Sequence, residues 1–316
     1  GGVELSSPSI RLQAEKLMRD DFLLPFQVGA GSVRGRIVRL GPAVDAVLKP
    51  HGFSAAASEL LGEAAVLAAL MGASLKFDGR LIFQAQGDGD VRMLVADYVS
   101  DGAIRATASI GGPAETRGLA RLMGKGHLAI TIDQGPDMER YQGVTPIEGR
   151  TLEEAAIGYF SQSEQIPTAV RLAVGKVFRP GGAEVWRAGG VIVQFMPGEG
   201  GARERGEAVL KSHEDEEAWN RAAAFLNTTQ ADELLDPALT AEDLLYRLFH
   251  EDGVRVFDAR PLRAECSCNA GKISAVLERY SPDDLADMAD EGRIKVSCEF
   301  CRRVYLFDLA GTEIAP

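Results

Sequence analysis

Apolar residues recur with two different periods along the chain, and the period changes near Gly72. Between residues 54 and 71 they lie three or four positions apart, which predicts a helix capped by Ser54. Beyond Gly72 the pattern becomes short alternating runs separated by Asp-Gly and Gly-Asp-Gly turns, which is typical of antiparallel strands. The predicted strands are 75–77, 81–85, 91–95, 104–109, 128–132 and 140–144.

Two further features complete the first part of the chain. The sequence Thr-Leu-Glu-Glu at 151–154 is a capping-box pattern, so we expect a helix from there to about Phe160. The apolar runs 170–174 and 191–195 predict two more strands. Strands in groups, with helices between the groups, indicate an α+β fold rather than a regular βαβ repeat. We therefore expect residues 1–198 to form a mixed core domain with antiparallel sheets.

The segment that follows, 199–255, is strongly acidic and contains only short apolar patterns at helical spacing. A Pro-Gly-Glu-Gly-Gly sequence at 197–201 cannot continue a strand, and residues 199–250 hold twelve acidic but five basic side chains. Helices this short are marginal in water, so their order must depend on packing against neighbours. We predict a metastable helical linker over 199–255. Its apolar positions at helical spacing are Trp219, Ala222, Ala223, Leu226, Leu244, Leu245, Leu248 and Phe249.

The C-terminal segment, 256–316, contains every cysteine of the chain. Residues 273–280 keep a helical apolar spacing, and Ser281-Pro282 begins another helix that Gly292 is expected to end. A unit of this length buries little apolar surface, and units below about 70 residues usually need a disulfide or a metal. We therefore expect a small domain that a metal ion stabilises.

The four cysteines form one Cys-x-Cys motif, Cys266 with Cys268, and one Cys-x-x-Cys motif, Cys298 with Cys301. Four thiolates suit a tetrahedral Zn²⁺ ion at Zn–S distances of about 2.3 Å. Four unrelated buried thiols would not occur as two tight pairs with no cysteine elsewhere. The sequence thus predicts a zinc site with these four ligands and no histidine.

The cysteine spacing alone does not distinguish a structural zinc site from a thiol switch, but two features favour the switch. Each pair is adjacent in sequence, so loss of zinc would leave thiols able to close into two local disulfides. Zinc-bound cysteines are also held as thiolates, the form that reacts with oxidants. Because zinc supplies on the order of 10 kcal/mol of folding free energy in such modules, oxidation would destabilise the small domain.

Composition and charge narrow the class of protein. The chain of 316 residues is 46% hydrophobic and 25% charged, which is ordinary for a globular protein. It contains no run of about 18 apolar residues and no signal-peptide pattern, so no membrane segment is expected. The net charge of −12 argues against broad binding to nucleic acid. Four cysteines in so long a chain do not resemble a secreted disulfide scaffold, so we expect a cytoplasmic protein.

Other candidate sites are weaker. No Gly-Lys-Ser/Thr follows the glycine-rich stretch at Gly29, Gly31 and Gly35, so we interpret it as a bend in or beside a strand. No Ser/His/Asp or Cys/His arrangement is apparent, so we expect no catalytic residues and no enzyme activity. The histidines are scattered without metal-ligand spacing, at His51, His127, His213 and His250.

Stretches along nearly the whole chain resemble the redox-regulated thirty-three-kilodalton heat-shock chaperone family, ATP-independent holdases of the bacterial cytosol. Around the cysteines these are ECSCN at 265–269 and VSCEFCRRVYLF at 296–307. Upstream they are LKFDG at 75–79, QGDG at 86–89, ERYQG at 139–143, YF at 159–160 with SEQIP at 163–167, and LYRLFHE at 245–251.

The resemblance implies an N-terminal α+β core, a metastable helical linker and a C-terminal zinc domain. Its zinc ligands would be Cys266, Cys268, Cys298 and Cys301. Oxidation would pair the cysteines within each motif, release zinc and unfold the linker. The reduced monomer would then become a homodimer that holds unfolding client proteins, and ATP-dependent foldase chaperones would act downstream. Neither nucleic acid nor a membrane is an expected partner.

Two other classes of function remain as alternatives at this point. A zinc-ribbon protein that binds nucleic acid is disfavoured by the acidity of the chain, since just Arg302 and Arg303 follow the second motif. An oxidoreductase that uses Cys298 and Cys301 would need a βαβ context that this part of the sequence lacks. Salt-dependent nucleic-acid binding would support the first, and disulfide turnover on a model substrate the second.

Overall fold

The computed structural model describes residues 2–4, 20–29, 31–73, 78–135, 138–178, 182–196 and 213–314. The chain forms two compact units, Gly1–Ala264 and Glu265–Pro316. The first unit contains two sheets with the helices that pack on them. The second contains a three-stranded sheet and the four cysteines.

The described helices and strands have fewer than ten residues each, apart from helices α2 and α5 and strands β9 and β10. In the first unit they are β1 Val3–Glu4, β2 Phe22–Val28, β3 Val33–Leu40, α1 Pro42–Leu48, α2 Ala55–Gly72, β4 Arg80–Gly87, β5 Val91–Val99, β6 Ala103–Ile110, α3 Leu119–Leu122, β7 Gly126–Asp133, β8 Tyr141–Pro146, α4 Leu152–Tyr159, β9 Thr168–Phe178, β10 Glu184–Phe195, α5 His213–Asn227, α6 Ala231–Leu235, α7 Ala241–Phe249, β11 Val254–Val256, β12 Arg260–Pro261 and β13 Arg263–Ala264. In the second unit they are α8 Ala270–Leu277, α9 Pro282–Met288, β14 Ile294–Ser297, β15 Val304–Phe307 and β16 Glu313–Ile314.

The strands of the first unit form two sheets. The first sheet has the order β1-β11-β2-β3-β10-β9, with β12 also paired to β2, and all its pairs are antiparallel. The second has the order β13-β6-β5-β4-β7-β8 and is antiparallel except for the pair β13–β6. The predicted α+β fold with antiparallel sheets is therefore confirmed.

Helix α2 lies in the core between the two sheets. Its first turn is capped as predicted, because Ser54 Oγ accepts a hydrogen bond from the Ala57 amide at 3.1 Å. Its buried residues pack in one cluster with residues of both sheets. Among the described helices, α2 is the one long and apolar enough to cross a membrane, but 83% of it is buried inside the protein, as expected of a core helix.

Helices α5, α6 and α7 cover the other face of the first sheet. Several of their apolar residues, including Leu226 and Leu244, are fully buried in a second cluster with residues of β2, β3, β9 and β10, and others such as Trp219 pack against it partly buried. Phe26 in β2 and Phe249 in α7 stack with their ring centroids 5.6 Å apart. These helices lie within the predicted linker 199–255, so the linker takes its order from packing on a sheet of the core.

The boundary between the two units lies close to the first cysteine motif. Strands β12 and β13, which fall in the segment 256–316, pair with β2 and β6 of the first unit. Helices α5, α6 and α7 also belong to the first unit. The functional division into core 1–198, linker 199–255 and zinc domain 256–316 stays a prediction.

Five strands of the first sheet were not predicted, namely β2 and β3 and the short strands β1, β11 and β12, and one predicted helix end is wrong. Strands β2 and β3 surround the glycine-rich stretch, where Gly29 adopts φ +58° in the turn and the Phe26 ring packs against Gly35. The predicted end of a helix at Gly292 is incorrect, because α9 stops at Met288 and Ala289 is extended. Gly292, with φ +77°, instead forms the turn before β14. The predicted strand 75–77 lies outside the described residues.

Candidate metal centre

The four cysteines lie at two places in the second unit. Cys266 and Cys268 precede α8, while Cys298 follows β14 and Cys301 precedes β15. Strands β14 and β15 form an antiparallel hairpin with Ser297 opposite Val304. The Cys-x-x-Cys motif is thus the turn of a hairpin, which brings its two side chains to the same end of the sheet.

The turn of this hairpin is held by backbone hydrogen bonds. The Cys298 amide donates to the Arg303 carbonyl, and the Arg302 amide donates to the Cys298 carbonyl, both at 2.9 Å. Arg302 adopts φ +58°, the left-handed conformation that a tight turn of this kind requires. These hydrogen bonds fix the backbone of the motif and therefore the positions from which its two cysteine side chains extend.

The Cys-x-Cys motif is fixed by the start of α8. The Asn269 side chain caps this helix, since its Oδ1 accepts a hydrogen bond from the Lys272 amide at 2.9 Å. Lys272 Nζ also donates to the carbonyl of Ser267, between the two cysteines, at 2.7 Å. Two contacts from the first turn of α8 thus orient the segment that carries Cys266 and Cys268.

All four sulfurs lie within 4.8 Å of one another. The Cys266 and Cys298 sulfurs are 3.6 Å apart, and those of Cys268 and Cys301 are 3.4 Å apart. In a tetrahedral zinc site with Zn–S bonds of about 2.3 Å, neighbouring sulfurs are about 3.8 Å apart. The arrangement therefore has the size and the donor set that a zinc ion requires, and the structure brings together all four predicted ligands.

The thiols of this cluster differ in how readily they ionise. Burial raises the pKa of Cys266 and raises that of Cys301 to about 12. Burial acts in the same direction at Cys268, but hydrogen bonds with the Tyr305 hydroxyl and the neighbouring thiols outweigh it and lower the pKa to about 7. Cys268 therefore ionises before Cys266 and Cys301. A bound divalent metal would favour the thiolate form of all its ligands.

The hydrophobic core beneath the site is small. It consists of the buried residues Leu277, Leu285, Ile294, Tyr305 and Phe307, and Cys268 packs at its edge. Tyr305 also contacts the site directly, because its hydroxyl lies 3.2 Å from Cys268 Sγ. Sequence reasoning did not single out this contact. A tyrosine four positions after the last cysteine, on the strand that leaves the motif, was the available signal.

The described histidines lie outside this cluster. Within the described ranges, the four cysteines are the one group of side chains with metal-binding geometry. His51 stacks on Phe53, and His250 packs beside Tyr246. His213 lies 3.5 Å from Glu217 on the same helix.

Comparison with known proteins gives consistent matches along the chain. The family model described as Hsp33 protein matches residues 21–308. The 33 kDa chaperonin of Caulobacter vibrioides is 46% identical over 301 residues, which cover 92% of this chain and 96% of that protein. The 33 kDa chaperonin of Methylobacillus flagellatus is 34% identical over 284 residues, 89% of each protein.

A solved structure agrees with these relatives. The crystal structure of the 33 kDa chaperonin of Thermotoga maritima, described as a heat shock protein 33 homolog, superposes with a TM-score of 0.73. The two proteins are 25% identical in sequence, and the match covers 92% of this chain and 95% of the other. The relatives are named chaperonins, a non-enzymatic class, which confirms the expectation that the chain is not an enzyme. With its α+β core and its cluster of four cysteines, the chain belongs to the Hsp33 family of chaperones.

Proposed function

We propose that this chain is a redox-regulated, ATP-independent holdase of the cytoplasm that binds one zinc ion in its reduced form. The ligands would be Cys266, Cys268, Cys298 and Cys301. The observation that carries the proposal is the convergence of these four sulfurs within 4.8 Å in a unit with a small core. Membership of a chaperone family supports the holdase function. Four free thiols suit a reducing compartment such as the cytoplasm.

Bound zinc would hold the four sulfurs as thiolates and cross-link the segment before α8 to the β14–β15 turn. The residues of the second unit have little else to hold them in place. Its buried core contains five side chains, two backbone hydrogen bonds hold the turn, and one hydrogen bond from the Lys272 amide to Asn269 caps helix α8. Loss of the metal should therefore loosen this unit.

A peroxide is the proposed oxidant. One thiolate attacks a peroxide oxygen and forms a sulfenic acid, and the other oxygen leaves as water after taking up a proton. The second thiolate of the same motif attacks that sulfur and expels hydroxide, which takes up a proton and leaves as a second water. Each disulfide thus removes two electrons from a cysteine pair and reduces one peroxide to two waters.

We propose that the disulfides are Cys266–Cys268 and Cys298–Cys301. Closure within a motif costs the least chain entropy, although the Cys-x-Cys ring is strained and readily reduced. The shortest sulfur–sulfur distances, 3.6 and 3.4 Å, join the two motifs, so bridges between motifs are the competing outcome. Peptide mapping of the oxidised protein distinguishes the two patterns, and a dominant bridge between motifs would contradict the proposed pairing.

The linker 199–255 is the proposed responding element. It buries apolar residues of α5, α6 and α7 on the first sheet, so its release would expose apolar surface to unfolding proteins. Its excess of acidic side chains would keep the released segment soluble. We propose that the oxidised chains form homodimers, hold their clients and pass them to ATP-dependent foldase chaperones.

The test compares two preparations of the full chain: reduced protein loaded with zinc and peroxide-treated protein freed of zinc. Light scattering of a thermally unfolding client protein measures aggregation, and size-exclusion chromatography measures the oligomeric state. We expect suppression of aggregation and a dimer in the oxidised preparation alone, with both lost after reduction in the presence of zinc. Equal suppression by both preparations would refute redox regulation, and suppression by neither would refute the holdase function.

A further inference from the structure

Tyr305 lies between Cys268 of the proposed metal centre and the charged side chain of Arg303 on the surface. Its ring is 8% exposed and packs in the small core with Leu277 and Phe307. Its hydroxyl lies 3.2 Å from Cys268 Sγ and also forms a hydrogen bond with the Arg303 side chain, which is exposed. Since a guanidinium can donate but not accept, Arg303 donates to the tyrosine oxygen, and the tyrosine O–H is free to donate to sulfur.

Two other cysteine sulfurs accept hydrogen bonds from backbone amides rather than from a side chain. Cys266 accepts one from the backbone amide of Cys268, and Cys301 accepts one from the backbone amide of Arg303. Backbone amides keep these bonds whatever the side chain of the donor residue. At Cys268 the donor is a side chain, so a substitution can remove this bond and leave the other two in place.

We propose that Tyr305 is a positioning residue which, supported by Arg303, controls how tightly Cys268 holds the metal and how fast it is oxidised. This proposal rests on the proposed zinc site. Four thiolates around one Zn²⁺ carry a net charge of −2, and a donated hydrogen bond withdraws electron density from one of the sulfurs. Hydrogen bonds to ligand atoms fix their orientation, and their loss typically costs 10- to 100-fold in metal affinity. A sulfur without its donor is also a stronger nucleophile.

The decisive variant is Tyr305→Phe, which keeps the buried ring and removes one oxygen atom. The matched control is Tyr280→Phe in the same unit, where the side chain is 45% exposed. Two rates are measured with a colorimetric zinc indicator: transfer of zinc to a competing chelator and release of zinc by hydrogen peroxide. We expect both rates to rise about 10-fold in Tyr305→Phe and to stay at the wild-type value in Tyr280→Phe.

Cobalt substitution adds a readout that a general loss of stability would not change. In Co²⁺-loaded Tyr305→Phe, the sulfur-to-metal charge-transfer absorption should move to longer wavelength, because the electrons of the undonated sulfur are held less tightly. Arg303→Gln leaves the core intact and should shift the two rates in the same direction by a smaller factor. Its control is Arg279→Gln, an exposed arginine of the same unit.

The outcomes separate this proposal from the zinc site itself. A wild-type protein that binds neither zinc nor cobalt would refute the zinc site and this role with it. Normal zinc binding with wild-type rates and an unshifted cobalt spectrum in Tyr305→Phe would refute the role of Tyr305 alone. An effect of Tyr305→Phe with none in Arg303→Gln would remove Arg303 from the proposal.

Discussion

Arg39, in strand β3 of the core, donates a hydrogen bond from Nη1 to the backbone carbonyl of Asp236 in the linker at 3.0 Å. Its Nη2 donates to the carbonyls of Glu233 and Leu239 at 3.1 and 3.0 Å. Arg171 in β9 likewise donates to the Thr229 carbonyl at 3.1 Å. The last carbonyls of a helix lack partners within it, so two core arginines complete the ends of α5 and α6. The linker is anchored by polar contacts as well as by its apolar face.

Replacing Arg39 by Met should loosen the linker in the reduced protein. Arg39 is 2% exposed, so the substitution leaves three carbonyls without their donor in a buried place. We expect a loss of about 2–4 kcal/mol in linker docking. Hydrogen exchange should show faster exchange over 231–249, and client holding should appear at lower oxidant concentration. The control, Arg247→Met, alters an arginine of the same segment whose side chain is 62% exposed. Unchanged protection in Arg39→Met would refute the anchoring role.

Replacing Thr229 by Val should have the opposite effect. Thr229 is fully buried between α5 and α6, and its hydroxyl has no hydrogen-bond partner among the described residues. Valine has nearly the same shape without the hydroxyl, so the linker should gain about 1 kcal/mol and need more heat or oxidant for activation. Thr228→Val is the control, since that hydroxyl is exposed and donates to the Phe225 carbonyl. A lower unfolding temperature for Thr229→Val would count against this prediction.

The stability of the first unit should fall as pH rises from about 4.5 to 7. Burial, with Glu153 and Glu59 nearby, raises the pKa of Glu63 in α2 from 4.5 to about 7. In this window the folded chain keeps a proton that the unfolded chain has lost, so raising the pH favours unfolding.

Glu63→Gln should remove this fall and stabilise the protein at pH 8 by at most about 3 kcal/mol. Urea unfolding at pH 5 and pH 8 measures the difference. Glu148→Gln, at an exposed position, should leave the pH dependence as it is in the wild type. The same pH dependence in Glu63→Gln as in the wild type would show that Glu63 does not cause it.

Metal analysis of the reduced protein should find one zinc per chain. Each single Cys→Ser substitution at 266, 268, 298 or 301 should reduce the zinc content, because all four sulfurs lie in one cluster. Ser297→Ala, in the strand beside the second motif, is the control. Full zinc content after the loss of any one cysteine would exclude that residue from the ligand set.

The parts of the fold that the sequence predicts are those in which local periodicity decides the structure. Helix α2 and strands β4 to β7 have regular apolar patterns and recognisable caps and turns. Strand β2 lacks such a pattern because it is buried on both faces, and Pro25 within it argues against a strand. Strand β3 contains Gly35 and the buried Arg39, two residue types that are uncommon inside a buried strand. The Phe26 ring packs against Gly35, and Arg39 donates to the Asp236 carbonyl, far along the chain.

The candidate metal site was predictable for a related reason. Its ligands come from two short motifs, so spacing alone names all four cysteines. The contact between Tyr305 and Cys268 links positions 37 residues apart and depends on how the β14–β15 hairpin packs on α8. No pattern in the sequence records that packing, and the same holds for Arg39 and the linker carbonyls.

The linker is bounded by two strands of the same sheet. Strand β10 ends at Phe195 before it, and β11 begins at Val254, at its C-terminal end, where Val254 pairs with Val28 of β2. A linker that leaves the sheet while both strands stay paired is therefore a closed loop rather than a loose tail. The entropy cost of closing such a loop grows only with the logarithm of its length, so the released linker stays close to the sheet on which it docks. Redocking of the linker after reduction should therefore be a unimolecular step whose rate is independent of protein concentration. Because both ends of the linker stay attached to the sheet, its release is readily reversed.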